Sequence, residues 1–420
     1  MARFGVLRGG RSAVTIGGMN EPRLHISNRL RDMMSYDKMS GEAPRVLILR
    51  GQYWLDGACE NAARAMGWQV EPVPVVMEGV LSKEQVARLL ETLVTLKPDF
   101  ILSINLSGMD LGGLLARLFE DLGVPYVTWF VDDPRTIVMG RGTFATANSI
   151  ALTWDKAYTG YLQQAGFPVV HTLPLATDPS LFHGAPATQW AHSPTFVGNS
   201  MEEFAERSWA GIEGDERLKS ALYAAFDGGR VNRANFGVGL DAILRAGHCA
   251  TLDAEQHRSA EMLCFIEGTR RLRRAHVEAL LPEGLTVRGD AGWGRYVANA
   301  GGPVDYFQEL PQFYRDCEIN FNVTSIQMPH TVNQRVFDCP AAGGFLLTDA
   351  QSDIAELFDA ECEAATYTTV EECVEKFRWY RAHPEARVAI VHAAQRRIFA
   401  EHTYAHRLRT IARIVMERFG

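Results

Sequence analysis

The 420-residue sequence has no C-x-x-C pair and only seven cysteines, scattered at positions 59, 249, 264, 317, 339, 362 and 373. A disulfide framework and a zinc ribbon are therefore both excluded, and reduced thiols in a cytosolic protein are expected. No apolar run approaches the roughly 20 residues that span a bilayer. The opening stretch MARFGVLRGGRSAVTIGG carries charges and glycines where a signal peptide needs an apolar segment. A cytoplasmic chain without a transmembrane segment is expected. Basic charge is also short: the formal net charge is -8, which argues against nucleic acid as the main partner, because phosphate neutralisation needs a basic face. Metal-ligand spacing such as H-E-x-x-H is missing, so no metal site is expected.

What is present is a globular composition, 47% hydrophobic and 22% charged, in a chain too long for one core. Residues 1–43 are polar and glycine-dotted and form an arm, with one short helix around Leu30–Met34. From Pro44, short apolar runs alternate with helical stretches: RVLILRG, QVEPVPVV, DFILSIN, VPYVTWFVDDP, SIALTWD and VVHTLPLA. Continuous apolar runs are the mark of strands covered on both faces, and alternation at this spacing gives right-handed βαβ units and a parallel sheet. A Pro/Ala/His/Gly-rich break at 183–194 precedes a second series: TFVGNS, LTVRGD, VDYF, INFNVT and FLLTD, then a helical tail from about 369. Within it, 201–265 has no strand-like run and reads as a helical insertion. The expected fold is α/β, two Rossmann-like doubly wound domains facing a central cleft. Their expected bounds are 44–190 and 191–400, with a last helix, 401–420, returning to the first domain.

In open parallel sheets, ligands bind at the carboxyl ends of the strands. That rule selects Gly51, Gln52, Asn105 with Gly108, and Asp132–Asp133 in the first domain, and Gly198, Asn199 and Gly289–Asp290 in the second. The segment HTVNQRVFDCPAAGGFLLTD (330–349) adds a helix capped by Thr331 or Asn333. Free N–H groups at His330–Asn333 are expected to hold a pyrophosphate, with Arg335 adding a bidentate contact and Asp338 accepting from a ribose diol. Ala341–Gly344 let the helix approach the sheet closely. The run TRRLRRAHVEAL (269–280) reads as a solvated face. GVGLDAILRAG (237–247) lacks both the dinucleotide pattern and a preceding buried strand.

Five stretches in order, PDFILSINLSGMDLGGL, VPYVTWFVDDP, HTLPLATDPSLF, PTFVGNS and NQRVFDCPAAGGFLLTDAQSDIAELF, resemble the CgeB-like (spore maturation protein) glycosyltransferases, relatives of the family-four GT-B enzymes. The resemblance covers about residues 44–415. It implies the GT-B arrangement, no cofactor, no obligatory metal, and a nucleoside diphosphate sugar, UDP- or GDP-linked, held mainly by the second domain. The acceptor, a protein, a surface glycan or a small molecule, would face the first domain. In that group two Glu eight positions apart serve the donor; here those places hold His330 and Asp338. Arg335 and Arg288 are the cations on offer for the diphosphate, and Asp132 and Asp133 the candidate bases of an inverting reaction. The rival readings are a non-catalytic nucleotide-sugar-binding or assembly protein on the same scaffold, and a sugar-nucleotide epimerase or hydrolase.

Overall fold

A computed structural model describes residues 26–51, 53–74, 82–138, 143–212, 214–229, 231–233 and 253–420. The first sheet is built from β1 (Arg45–Arg50), β2 (Gln69–Pro74), β3 (Phe100–Ile104), β4 (Tyr126–Phe130), β5 (Ser149–Thr153) and β6 (Val169–Thr172). All pairings are parallel, in the order β2-β1-β3-β4-β5-β6. Residues of β3, β4 and β5 are buried on both faces. The alternation sorts them: Val46, Ile48, Leu102, Val127 and Trp129 enter one apolar cluster, and Leu47, Leu49, Ile101, Tyr126 and Phe130 another. Helices cover both faces, among them Trp54–Ala65 and Lys83–Leu96, the latter started by a Ser82–Gln85 capping box.

The second sheet contains β7 (Thr195–Val197), β8 (Thr286–Arg288), β9 (Asn320–Phe321), β10 (Leu346–Asp349) and β11 (Ala365–Tyr367), again all parallel, in the order β11-β10-β9-β7-β8. The architecture is thus two-domain, parallel α/β. Each sheet has one place where the strand order reverses: between β1 and β3 in the first, and between β7 and β9 in the second. Such switch points open a crevice at the carboxyl ends, because the flanking connections leave to opposite faces.

Between β7 and β8 lie helices Glu202–Ala210, Glu216–Asp227 and the 27-residue Ala254–Leu280; the GVGLDAILRAG stretch and most of the arm fall outside the described residues. VDYF is not a strand: residues 306–309 form a turn, before which Asp305 Oδ1 accepts from the N–H groups of Phe307 and Gln308. The last helix, Tyr404–Phe419, lies on the first domain. Tyr404 packs against Trp54 and Trp129, and Arg407 donates to the carbonyls of Pro174 and Leu175. One apolar cluster runs from Trp129 through Leu175, Phe182 and Tyr404 to Val336 and Phe337, so the domains share a core as well as a linker.

Candidate functional site

Arg335 lies at the switch point of the second sheet. Its guanidinium donates to the Val197 carbonyl at the end of β7 (2.6 Å), to Asn322 Oδ1 just beyond β9 (2.9 Å) and to Tyr314 Oη (3.2 Å). Arg273, from the long helix Ala254–Leu280, reaches the same edge and donates to the Asn199 carbonyl at 2.8 Å. Burial, reinforced by the charge of Arg335, lowers the Arg273 pKa to about 10, and its Nε is buried without a partner. Among the described residues neither guanidinium has an ion-pair partner, although Asp290 and Asp349 act on Arg273 through space. Two unneutralised guanidiniums at the carboxyl edge of a parallel sheet form a site for an anion. Arg273 belongs to the run read as a solvated face. That reading holds for Arg274, paired with the exposed Glu278, and fails for Arg273. Thr269, His276, Val277 and Leu280 are all buried, and Arg273 falls on their stripe. The i, i+4, i+7 spacing was the signal available in the sequence.

Gly198 and Gly289 bring the β7 and β8 loops together. The Gly198 N–H donates to the Arg288 carbonyl, and its own carbonyl accepts from Trp293 Nε1 at 2.8 Å. A Cβ on Gly289 would stand 2.1 Å from that carbonyl oxygen, so only glycine fits. Asn199 Oδ1 accepts from the Met201 N–H, and Ser200 donates to Asp290 from both its N–H and its hydroxyl. Arg288 is committed to the carbonyls of Gly302 and Pro303 and lies over Phe313, so it does not join Arg273 and Arg335.

The segment 330–338 departs from expectation in three ways. Its helix begins only at Arg335 and ends at Ala341, with Gln334 at the cap position, because Thr331 is fully buried and Asn333 exchanges side-chain hydrogen bonds with Asn322. The N–H groups of His330 and Thr331 are not free: both donate to Asp155 Oδ2, at 2.8 and 2.9 Å. The anion expected there is this carboxylate, from the loop after β5 in the first domain. The His330 ring meets Ser352 Oγ at 3.1 Å. Asp338 neither pairs with Arg335 nor faces open space. It is 1% exposed; Oδ1 accepts from Thr177 Oγ1 at 2.7 Å and Oδ2 from Tyr306 Oη at 2.9 Å. Burial pushes its pKa to about 8. Tyr306 is itself held between Trp54 and Phe182. As folded here, Asp338 offers no free oxygen to a ribose.

In the first domain, the two aspartates after β4 separate. Asp133 is buried and clamped by Arg135, whose Nη2 lies 2.6 Å from Oδ2 and whose Nη1 also pairs with Glu261. Asp132 is half-buried at the domain boundary. Asn105 Nδ2 donates to its Oδ2 at 2.8 Å, and Gln327 of the second domain approaches Oδ1 at 3.5 Å. Burial raises its pKa to about 6, against these hydrogen bonds. Asn105 also accepts from the Val131 N–H, which fixes the β4 terminus. Asn105 and Leu106 both have positive φ, 52° and 58°, a strained conformation for residues other than glycine. Gly51 follows β1, and its N–H donates to Asp56 Oδ2 at 2.8 Å. Gln52 lies outside the described residues. Among the described residues no group of three or more His, Cys, Asp or Glu side chains is arranged to hold a metal ion, and no helix is long and apolar enough to cross a membrane.

Residues 268–413 match the family model described as glycosyl transferase-like, a span that contains Arg273, Arg335 and strands β8 to β11. No curated protein matches the chain. Among solved structures, sucrose-phosphate synthase from Thermosynechococcus elongatus is similar at 10% identity, with 90% of this chain and 100% of that one covered and a TM-score of 0.46. HepE from Anabaena, solved with UDP and glucose, is similar at 11% identity, with 89% and 99% covered and a TM-score of 0.47. At these values the likeness is too remote to carry function to this chain.

Proposed function

We propose that this protein is a glycosyltransferase that moves a sugar from a nucleoside diphosphate sugar, UDP- or GDP-linked, to a hydroxyl of an acceptor. In this reading the second domain is the donor side and the first the acceptor side of a GT-B enzyme of the CgeB-like group. The observation that carries it is the pair Arg273 and Arg335, two guanidiniums without ion-pair partners among the described residues, at the switch point of the second sheet. The family match over residues 268–413 supports it. Breaking the bond between the sugar and the diphosphate leaves negative charge on the leaving oxygens. Fixed guanidiniums stabilise that charge most where burial lowers the local dielectric.

Asp132 is the base in this reading. It stands at the carboxyl end of β4 facing Gln327 across the domain boundary, and its raised pKa suits a group that must take a proton from an acceptor hydroxyl. Asn105 orients it. Asp133 is a structural partner of Arg135 in the same reading.

The experiment is calorimetric titration of UDP and GDP into wild type and Arg273→Met, together with turnover of radiolabelled nucleotide sugars. Wild type is expected to bind one of the two nucleotides and Arg273→Met to bind it at least tenfold more weakly, the scale of one hydrogen bond to a charged group. Equal binding by both proteins, or no nucleotide binding by wild type, overturns the proposal.

A further inference from the structure

The first sheet has its own switch point, between β1 and β3, and two buried polar atoms there have no hydrogen-bond partner among the described residues. Asp56, in the first turn of helix Trp54–Ala65, is 1% exposed, and Ser107, just beyond β3, is 5% exposed. Asp56 Oδ2 accepts from the Gly51 N–H at 2.8 Å, and the backbone of Tyr53, the cap residue of the helix, also stabilises the carboxylate; among the described residues Asp56 Oδ1 and Ser107 Oγ have no hydrogen-bond partner within reach. The two side chains converge above Gly51: a Cβ at that position would stand 2.2 Å from Ser107 Oγ and 3.6 Å from Asp56 Oδ2. Arg50, whose charge Asp56 feels, donates to Glu60 instead, so the carboxylate has no ion-pair partner among the described residues. Burial raises its pKa to about 7. A buried polar atom without a partner costs about 1–3 kcal/mol, and native proteins keep such atoms where a water, an ion or a ligand completes them.

We propose that Asp56 and Ser107 form a subsite for neighbouring hydroxyls of a carbohydrate acceptor. The inference rests on the glycosyltransferase reading for the word acceptor; the subsite itself rests on the two orphan atoms and the switch point. One hydroxyl donates to Asp56 Oδ1, and a second exchanges a hydrogen bond with Ser107 Oγ. A diol supplies this donor-plus-donor-or-acceptor pair without bringing a second charge beside Asp56, which suits a carboxylate already desolvated. The subsite is continuous with the proposed base: Ser107 lies two residues beyond Asn105, which holds Asp132. A sugar bound at Asp56 and Ser107 is thereby directed along the strand ends toward Asp132.

The test uses the full chain and a panel of methyl glycosides (α-glucoside, α-galactoside, α-mannoside and the N-acetylglucosaminide). Binding is read by saturation-transfer NMR, without nucleotide and with UDP. At least one glycoside is expected to bind wild type and to bind Asp56→Asn and Ser107→Ala at least tenfold more weakly, with the urea unfolding midpoint of Ser107→Ala unchanged. Ser107→Ala removes only one orphan atom and keeps the test readable if Asp56→Asn fails to fold. Wild-type-like binding by the variants, or no glycoside binding under either condition, overturns the proposal and leaves the orphan atoms merely hydrated. UDP and GDP affinities measured on the same samples are expected to stay within twofold. Loss of nucleotide binding in wild type would strike the donor site alone, and the glycoside arm without nucleotide would still decide the subsite.

Discussion

Replacing Asp338 tests the most consequential departure of structure from sequence pattern. Its two oxygens accept the hydrogen bonds of the Thr177 and Tyr306 hydroxyls, in a fully buried setting. Asp338→Ala leaves both hydroxyls without an acceptor, at about 1–3 kcal/mol each, so about 2–6 kcal/mol of stability is expected to be lost. Asp338→Asn behaves differently. The amide oxygen still accepts from Thr177, and the amide nitrogen can donate to the Tyr306 oxygen. It also removes an ionisation. Burial raises the carboxyl from 3.8 in the unfolded reference to about 8 in the native state, so between these values the native protein keeps a proton that the unfolded chain releases. Stability contributed by this group is therefore full below pH 4 and lost as pH rises toward 8. At pH 7 the loss is on the order of 2–4 kcal/mol, at about 1.4 kcal/mol per pH unit. Urea unfolding of wild type and Asp338→Asn at pH 5, 6, 7 and 8 reads it directly. The variant is expected to gain on wild type steadily with pH; Asp56 and Asp132, which are also raised, remain in both proteins and cancel. A stability difference that is flat from pH 5 to 8 refutes the buried, protonated Asp338.

Asp132→Asn is expected to lower kcat by about 10²–10⁴-fold, the usual contribution of a general base, while nucleotide affinity measured by calorimetry stays unchanged; an unaltered kcat would remove Asp132 from the chemistry. Asp133→Asn is expected to lower stability, because it strips Arg135 of a buried partner, and urea unfolding together with kcat for the remaining folded enzyme separates that role from catalysis. Gly289→Ala is expected to cost about 1–3 kcal/mol through overpacking, since its Cβ would meet the Gly198 carbonyl at 2.1 Å; a wild-type unfolding midpoint would show that the β7 and β8 loops part easily.

Hydrophobic patterning alone determined a great deal here. Runs such as RVLILR and SIALT had to be strands buried on both faces, and their alternation with helices forced parallel sheets. Candidates at strand ends were legible for the same reason: Asn105, Asp132, Gly198 and Gly289 all fall there because the positions follow from where each apolar run stops. Helix periodicity held one more clue, the buried stripe on which Arg273 lies. What the chain by itself left open is which partner each polar group finds. Asp155 and the His330 and Thr331 amides are 175 and 176 residues apart and meet only because the domains dock. Likewise Asp338 is claimed by Thr177 and Tyr306, 161 and 32 residues away. Arg335 and Arg273 become neighbours only when the long helix packs along the carboxyl edge of the second sheet. Burial and hydrogen-bond partnership depend on three-dimensional proximity, so tertiary packing decided which charged groups were neutralised, which were desolvated, and which stayed open for a ligand.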